Sequence, residues 1–247
     1  MKVAYRHLIN YIPSKPSIDE ISEKDMVTGV RSLNVKDQEA AAKRGQQSLN
    51  SLVNYARSEG AKIFRAGEPE YERVKAISNR VIAGSHYHKN PNVRYEVIDV
   101  DDVNAVAFGG GTYAVFRGLM DVTTDDELAF IIGHELAHSS AGHIEEEEAL
   151  IYTKDELQNE PSKNFKTALT NVDEQEADKI GIIYTALAGY DPCASATFWE
   201  KQQTTVYDYA AVRTHPANPR RAAMNRKWCA IANKYRIPNR VNPNAQK

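Results

Sequence analysis

The stretch with the clearest chemistry is Gly133-His134-Glu135-Leu136-Ala137-His138. It reads His-Glu-x-x-His. On a helix, residues four apart stand one above the other on the same face. His134 and His138 can therefore reach one metal ion together, and Glu135 lies beside that face, placed to meet a water on the ion. Two imidazoles plus a carboxylate from elsewhere form the usual catalytic zinc set, with one position open for water. The competing explanation is a pair of core histidines hydrogen-bonded inside a buried helix. Burying two imidazoles and a carboxylate among apolar residues is costly unless they are paired or hold a metal. Metal binding explains the pattern better.

A third ligand has to come from another segment. Asp173-Glu174-Gln175-Glu176-Ala177-Asp178 offers one. Glu174 and Asp178 are four apart and share a helical face, whereas Glu176 points elsewhere. Spacing does not choose between Glu174 and Asp178, and the ordinary fate of such acids is to face solvent.

The elements that must position these groups can be read around them. Thr124-Asp125-Asp126-Glu127 has the capping-box pattern just ahead of the apolar run 128–132. The helix it starts is apolar nearly all round, so it should be buried. Gly142 should end or kink it. His143 follows His138 by five, off the metal face of one regular helix, and receives no role. The acids 145–148 should form a solvated face. Upstream, Asn34 caps a predicted helix to about residue 58, and Pro69 opens another that Gly84 ends. Period-two patterning predicts a strand over 93–100; 103–108 reads as a second strand and 112–116, rich in β-forming residues, as a third, the last two joined as a hairpin by Gly109-Gly110-Gly111. Downstream, 150–168 reads as irregular, broken by Pro161. Helices are expected from about Asn171 to Gly189, from Asp191-Pro192 onward, and from Asn218-Pro219 onward. Residues 1–33 read as an extended arm and 34–247 as one domain. The fold class is α+β: mostly helical, with a small sheet beside the metal helix.

The 247-residue chain is long enough for a sizeable core. Its 42% hydrophobic content, 26% charged content and net charge of −2, with no basic block, exclude nucleic acid as a partner recognised by charge. No apolar run approaches the ~18 residues needed to span a bilayer. The opening Met1-Lys2-Val3-Ala4-Tyr5-Arg6-His7 lacks the apolar region of a signal peptide. Either the protein is cytosolic or an export segment, one capable of membrane association, has been removed. Cys193 and Cys229 either form one disulfide in an oxidising compartment or remain separate thiols.

His134-Glu135-Leu136-Ala137-His138 taken with Glu174-Gln175-Glu176-Ala177-Asp178 resembles the two motifs of the M48 metallopeptidases. Asn104–Gly111 through Gly118-Leu119-Met120 resembles that family's hairpin, and 27–31 leading to Gln38-Glu39 its N-terminal segment. His215-Pro216 followed by Arg221 resembles the C-terminal motif of its soluble BepA/LoiP-like branch. The resemblance implies a zincin-like (gluzincin) fold and one zinc per chain on His134, His138 and Glu174. It implies a supporting role for Asp178, with Glu135 as general base and then general acid. It also implies His215 and Arg221 as donors to the oxyanion of a peptide bond under attack. The expected function is zinc-dependent endoproteolysis in protein quality control of the cell envelope, in or near the periplasm.

A protease must hold an extended chain, and an exposed sheet edge does so through backbone hydrogen bonds. Thr112–Phe116, just before the metal helix, is the strand expected to receive substrate. Residues 145–170, between the two metal motifs, are placed to cover the cleft. Two alternatives stand beside the protease: a metal-binding, chaperone-like module that holds unfolded chains and cleaves rarely, and a helical interaction protein without metal. Glu135 favours the first function over the second.

Overall fold

The computed structural model describes residues 22–24, 31–33, 38–90, 92–145, 163–204, 215 and 219–237. In chain order these form β1 (Ser22–Lys24), β2 (Arg31–Leu33), α1 (Gln38–Ser58), α2 (Pro69–Ala83), β3 (Arg94–Ile98), β4 (Ala105–Ala107) and β5 (Thr112–Phe116). They continue with α3 (Arg117–Val122), α4 (Asp125–Ala141), α5 (Lys163–Leu187), α6 (Ala194–Thr204), α7 (Pro219–Ala232) and a short 3-10 turn, Asn233–Tyr235. The result is the mostly helical α+β fold with a small sheet, the architecture expected of a zincin-like metallopeptidase domain.

Helix α4 is the axis of the molecule. Thr124 caps it: its Oγ1 accepts from the Glu127 amide, and Glu127 Oε2 accepts from the Thr124 amide at 2.9 Å. Such a box satisfies two of the four free donors at a helix start. From Glu127 to Ser139 every residue of α4 is buried. It packs against α2, α5, α6 and both strands of the hairpin. The helix stops at Ala141 because Gly142 takes a left-handed φ of 82° and returns its amide to the His138 carbonyl. A side chain at that φ is disfavoured, so glycine is suited to this stop.

The main sheet has the order β3-β5-β4. Strands β4 and β5 pair antiparallel, Ala105 opposite Val115 and Ala107 opposite Tyr113, across the triple-glycine turn. Gly109, Gly110 and Gly111 all have positive φ, and a Cβ on Gly110 would collide with the backbone of Ala42 in α1. The parallel partner of β5 is β3, Arg94 opposite Thr112 and Ile98 opposite Phe116.

That topology corrects the placement of the substrate strand. Thr112–Phe116 is the central strand, with all five residues buried. Ala114 and Phe116 join Leu49 and Val53 of α1, while Tyr113 and Val115 join the main core. Both backbone edges of β5 are already paired, so it cannot accept a further strand. The outer side of β3 is partly covered, since Phe64 donates to the Val97 carbonyl and Asp99 to that of Lys62. Strand β4 packs against the metal helix, and its first residue, Ala105, lines the same cleft as His134 and Glu135.

Other boundaries also shift. Helix α5 starts at Lys163, within the stretch expected to be irregular; no glycine or proline stands in 163–170 to stop it. Glu145, expected in solvent, is buried. The remaining acids of that run, Asn34, the rest of the 1–33 arm, the segment 150–162 and the 146–162 part of the expected cleft cover lie outside the described residues. Cys193 and Cys229 are joined in a disulfide that ties the start of α6 to α7.

Helices α4 and α5 cross at paired glycines. A Cβ on Gly181 would lie 2.9 Å from the His134 amide nitrogen, and one on Gly133 would lie 3.0 Å from the Gly181 carbonyl oxygen. Gly181→Ala should therefore destabilise the protein. Overpacking against rigid backbone costs about 1–3 kcal/mol, more than the ~1 kcal/mol that alanine returns in helix propensity. Urea unfolding measures the difference, and an alanine variant more stable than wild type would contradict the close crossing.

Candidate metal centre

The glycine crossing decides what faces what. Gly133 meets Gly181, and one turn further along α4 His138 meets Glu174, so the two helices run antiparallel at the site. His134 and His138, one turn apart, direct their Nε2 atoms to a common point 3.0 Å from each other. Glu174 reaches the same point from α5, with Oε2 3.3 Å from His134 Nε2 and Oε1 3.3 Å from His138 Nε2. His215 closes the fourth side: its Nδ1 is 2.9 Å from Glu174 Oε1 and 3.3 Å from His134 Nε2. One ligand atom from each of these four residues falls within 4.8 Å of every other.

These separations fit a metal ion. Tetrahedral zinc with bonds of about 2.0–2.1 Å places its ligand atoms about 3.4 Å apart. The charge balance fits as well. The carboxylates of Glu135, Glu174 and Asp178 crowd the two imidazoles, and among these groups Arg221 is the single permanent positive charge. Burial opposes ionisation of Glu174, yet His215 and His138, with His134, hold its carboxyl well below the usual range. Burial also opposes charge on His134, but the hydrogen-bonded Asp178 and Glu174 raise it to about 9. Burial pushes His138 down to about 3, leaving it neutral with a lone pair to offer.

A second layer holds the first. His134 Nδ1 faces Asp178 Oδ1 at 3.1 Å. Asp178 takes two hydrogen bonds from Arg221, Nε to Oδ2 at 2.8 Å and Nη2 to Oδ1 at 2.7 Å. The third guanidinium nitrogen, Nη1, reaches Glu174 Oε2 at 2.8 Å, and the guanidinium stacks on Trp199 with Cζ 3.8 Å from the ring centroid. Burial opposes the Asp178 charge, but Arg221 and then His134 hold that carboxyl down at about 2. Arg221 therefore stands behind Glu174 with all three nitrogens engaged, and is not turned toward a substrate carbonyl. This corrects the expectation that it meets the oxyanion.

Glu135 is buried beside the imidazoles. Its Oε2 has no hydrogen-bond partner among the described residues, and its Oε1 lies 3.6 Å from His215 Nε2. A cleft opens on that side, lined by Asn104 and Ala105 at the start of β4, by Phe130, Ile131 and Trp199, and by His134, Glu135 and His215. The spacing of His134, Glu135 and His138 points to this assembly, and the resemblance of 174–178 to a second motif points to Glu174. The sequence did not point to His143, whose Nδ1 lies 3.0 Å from His138 Nδ1, or to Glu176, 3.5 Å from His143 Nε2. The available signal was Gly142, whose left-handed turn removes His143 from the helix on which its register was counted.

Comparison with known proteins places the chain beside metalloproteases. The model of Peptidase family M48 matches residues 68–158, from α2 past the metal helix. Metalloprotease LoiP of Escherichia coli K12 is 28% identical over 188 residues, covering 66% of this chain and 71% of LoiP. The mitochondrial metalloendopeptidase OMA1 of Arabidopsis thaliana is 32% identical over 152 residues, 53% of this chain and 31% of that protein. The beta-barrel assembly-enhancing protease of Yersinia pestis is 27% identical over 154 residues, 52% of this chain and 32% of that protein. The chain thus spans most of LoiP but about a third of the other two. With a convergent donor set at its metal motif, the chain is similar to the M48 peptidases: residues 68–158 match that family, and the likeness to LoiP extends over most of LoiP's length.

Proposed function

We propose that the chain is a zinc-dependent endopeptidase that cleaves polypeptides in the cell envelope as part of protein quality control. The observation that carries this is the convergence of His134 Nε2, His138 Nε2 and the Glu174 carboxylate on one point, with Glu135 beside it. Nitrogen and carboxylate donors in a tetrahedral arrangement favour zinc over calcium or magnesium, which take oxygen ligands in larger number. The compartment follows from chemistry too: the Cys193–Cys229 disulfide belongs in an oxidising space such as the periplasm. A relative named for β-barrel assembly points the same way.

Zinc held by these residues would polarise a peptide carbonyl and lower the pKa of a water to about 7. The protein's own groups supply the rest. Glu135 has an unpartnered Oε2 on the cleft side, so it accepts a proton from the attacking water and passes it to the leaving amine. Glu174 would hold the ion together with the two imidazoles, and Arg221 orients Glu174. His215 stands on the open side and donates to the developing oxyanion. Because its Nδ1 also lies within the donor set, a substrate carbonyl must displace or share that position. The extended substrate lies along β4, whose start lines the cleft, and pairs backbone to backbone.

The chaperone-like alternative shares the metal and the strand edge, and differs at Glu135. Glu135→Gln keeps one zinc per chain and loses proteolysis of an unfolded substrate such as casein by at least a hundredfold. Undiminished cleavage by that variant would sink the mechanism. His134→Ala and Glu174→Ala lose zinc together with activity; full zinc occupancy in Glu174→Ala would refute the third ligand. Arg221→Met leaves Asp178 and Glu174 buried without their counter-charge, so stability should fall by about 3–5 kcal/mol in denaturant unfolding. A neutral result would show that the pair is not buried as described. Chelation should abolish cleavage but leave far-UV helicity largely in place, because α4 and α5 also pack through an extensive apolar core; unfolding on chelation would contradict this.

A further inference from the structure

We propose that His143 is a positioning residue for the metal, holding His138 through an imidazole-to-imidazole hydrogen bond. The proposal rests on the zinc site described above. If His138 offers its Nε2 lone pair to the ion, its remaining proton is on Nδ1. That Nδ1–H points to His143 Nδ1 at 3.0 Å. Two N–H groups cannot face each other at that distance, so His143 Nδ1 is the bare nitrogen and accepts. Its own proton then sits on Nε2, directed at Glu176 Oε2, 3.5 Å away at the long limit of a hydrogen bond. The chain of donation runs from His138 to His143 to Glu176, and every tautomer in it is fixed.

The two metal histidines are thus supported differently. His134 faces a carboxylate directly, Asp178, which Arg221 holds. His138 meets a second imidazole, and the carboxylate lies one step further back. The device depends on the left-handed turn at Gly142: the chain leaves α4, reverses over one residue, and lays the His143 ring against His138, with ring centroids 5.1 Å apart. Both rings and Glu176 are buried, so water does not compete for these atoms. A ring whose rear nitrogen donates to a fixed acceptor is locked in rotation and made a better base at the nitrogen that binds the ion.

The test is the zinc dissociation constant of the purified chain, from competition with a chromophoric chelator, beside thermal unfolding. His143→Leu fills similar space without an acceptor and should weaken zinc 10- to 100-fold. His143→Asn places an amide oxygen close to the position of Nδ1 and should restore affinity to within about threefold of wild type. His143→Gln carries its amide one bond further out and should behave like leucine. Should leucine prevent folding, the contrast between Asn and Gln decides. Equal affinity in wild type, Leu and Gln would overturn the proposal while leaving the zinc site standing, and so would Asn falling as far as Gln. A wild-type chain that binds no zinc would overturn both.

Discussion

The structure depends on how closely α4 and α5 approach. A carboxylate on one helix can share an ion with two imidazoles on the other only if the backbones almost touch. Gly133 and Gly181 permit that by leaving no Cβ in the crossing. Once the crossing is set, the register of each helix does the rest. One turn along α4 separates His134 from His138, and one turn along α5 separates Glu174 from Asp178. The two pairs then interleave: Glu174 serves both imidazoles from the front, and Asp178 takes His134 from behind.

The interior built this way is expensive. Each buried charge would cost several kcal/mol if left uncompensated. The fold answers with hydrogen bonds that leave few atoms idle: Arg221 spans Asp178 and Glu174, and Trp199 stacks on the guanidinium and brings its Nε1 3.4 Å from Asp178 Oδ1. Glu135 Oε2 is among the buried atoms left without a hydrogen-bond partner within the described residues. A buried carboxylate oxygen facing a cleft and satisfied by nothing is poised to take a proton. Helix α7 carries Arg221, and the Cys193–Cys229 disulfide ties that helix to the start of α6.

Much of this was legible in the sequence, because it is local. The His-Glu-x-x-His spacing, the Thr124–Glu127 box and the stops at Gly84 and Gly142 are one-turn patterns, and the helices that follow from them are present. The choice of Glu174 over Asp178 was not legible from spacing, since both lie on one face of α5; only the approach of α4 separates them. The substrate strand was misplaced for a related reason. Thr112–Phe116 is a continuous run with little alternation, the mark of a strand covered on both faces; α1, which covers one face, comes from far earlier in the chain, and β3 pairs with the strand in parallel across 18 residues, Arg94 opposite Thr112. The helical register counted from His138 does not reach His143, because Gly142 ends the helix between them. In each case the missing information was long-range contact or a single backbone reversal.

The central claim is that these side chains make a four-coordinate zinc centre of imidazole nitrogen and oxygen ligands. X-ray absorption at the zinc edge of the loaded protein reads it directly. The account predicts a single shell of about four nitrogen and oxygen ligands near 2.0–2.1 Å, with the outer-shell scattering of at least two imidazoles. A six-oxygen shell without imidazole scattering, or a shell containing sulfur near 2.3 Å, would contradict it.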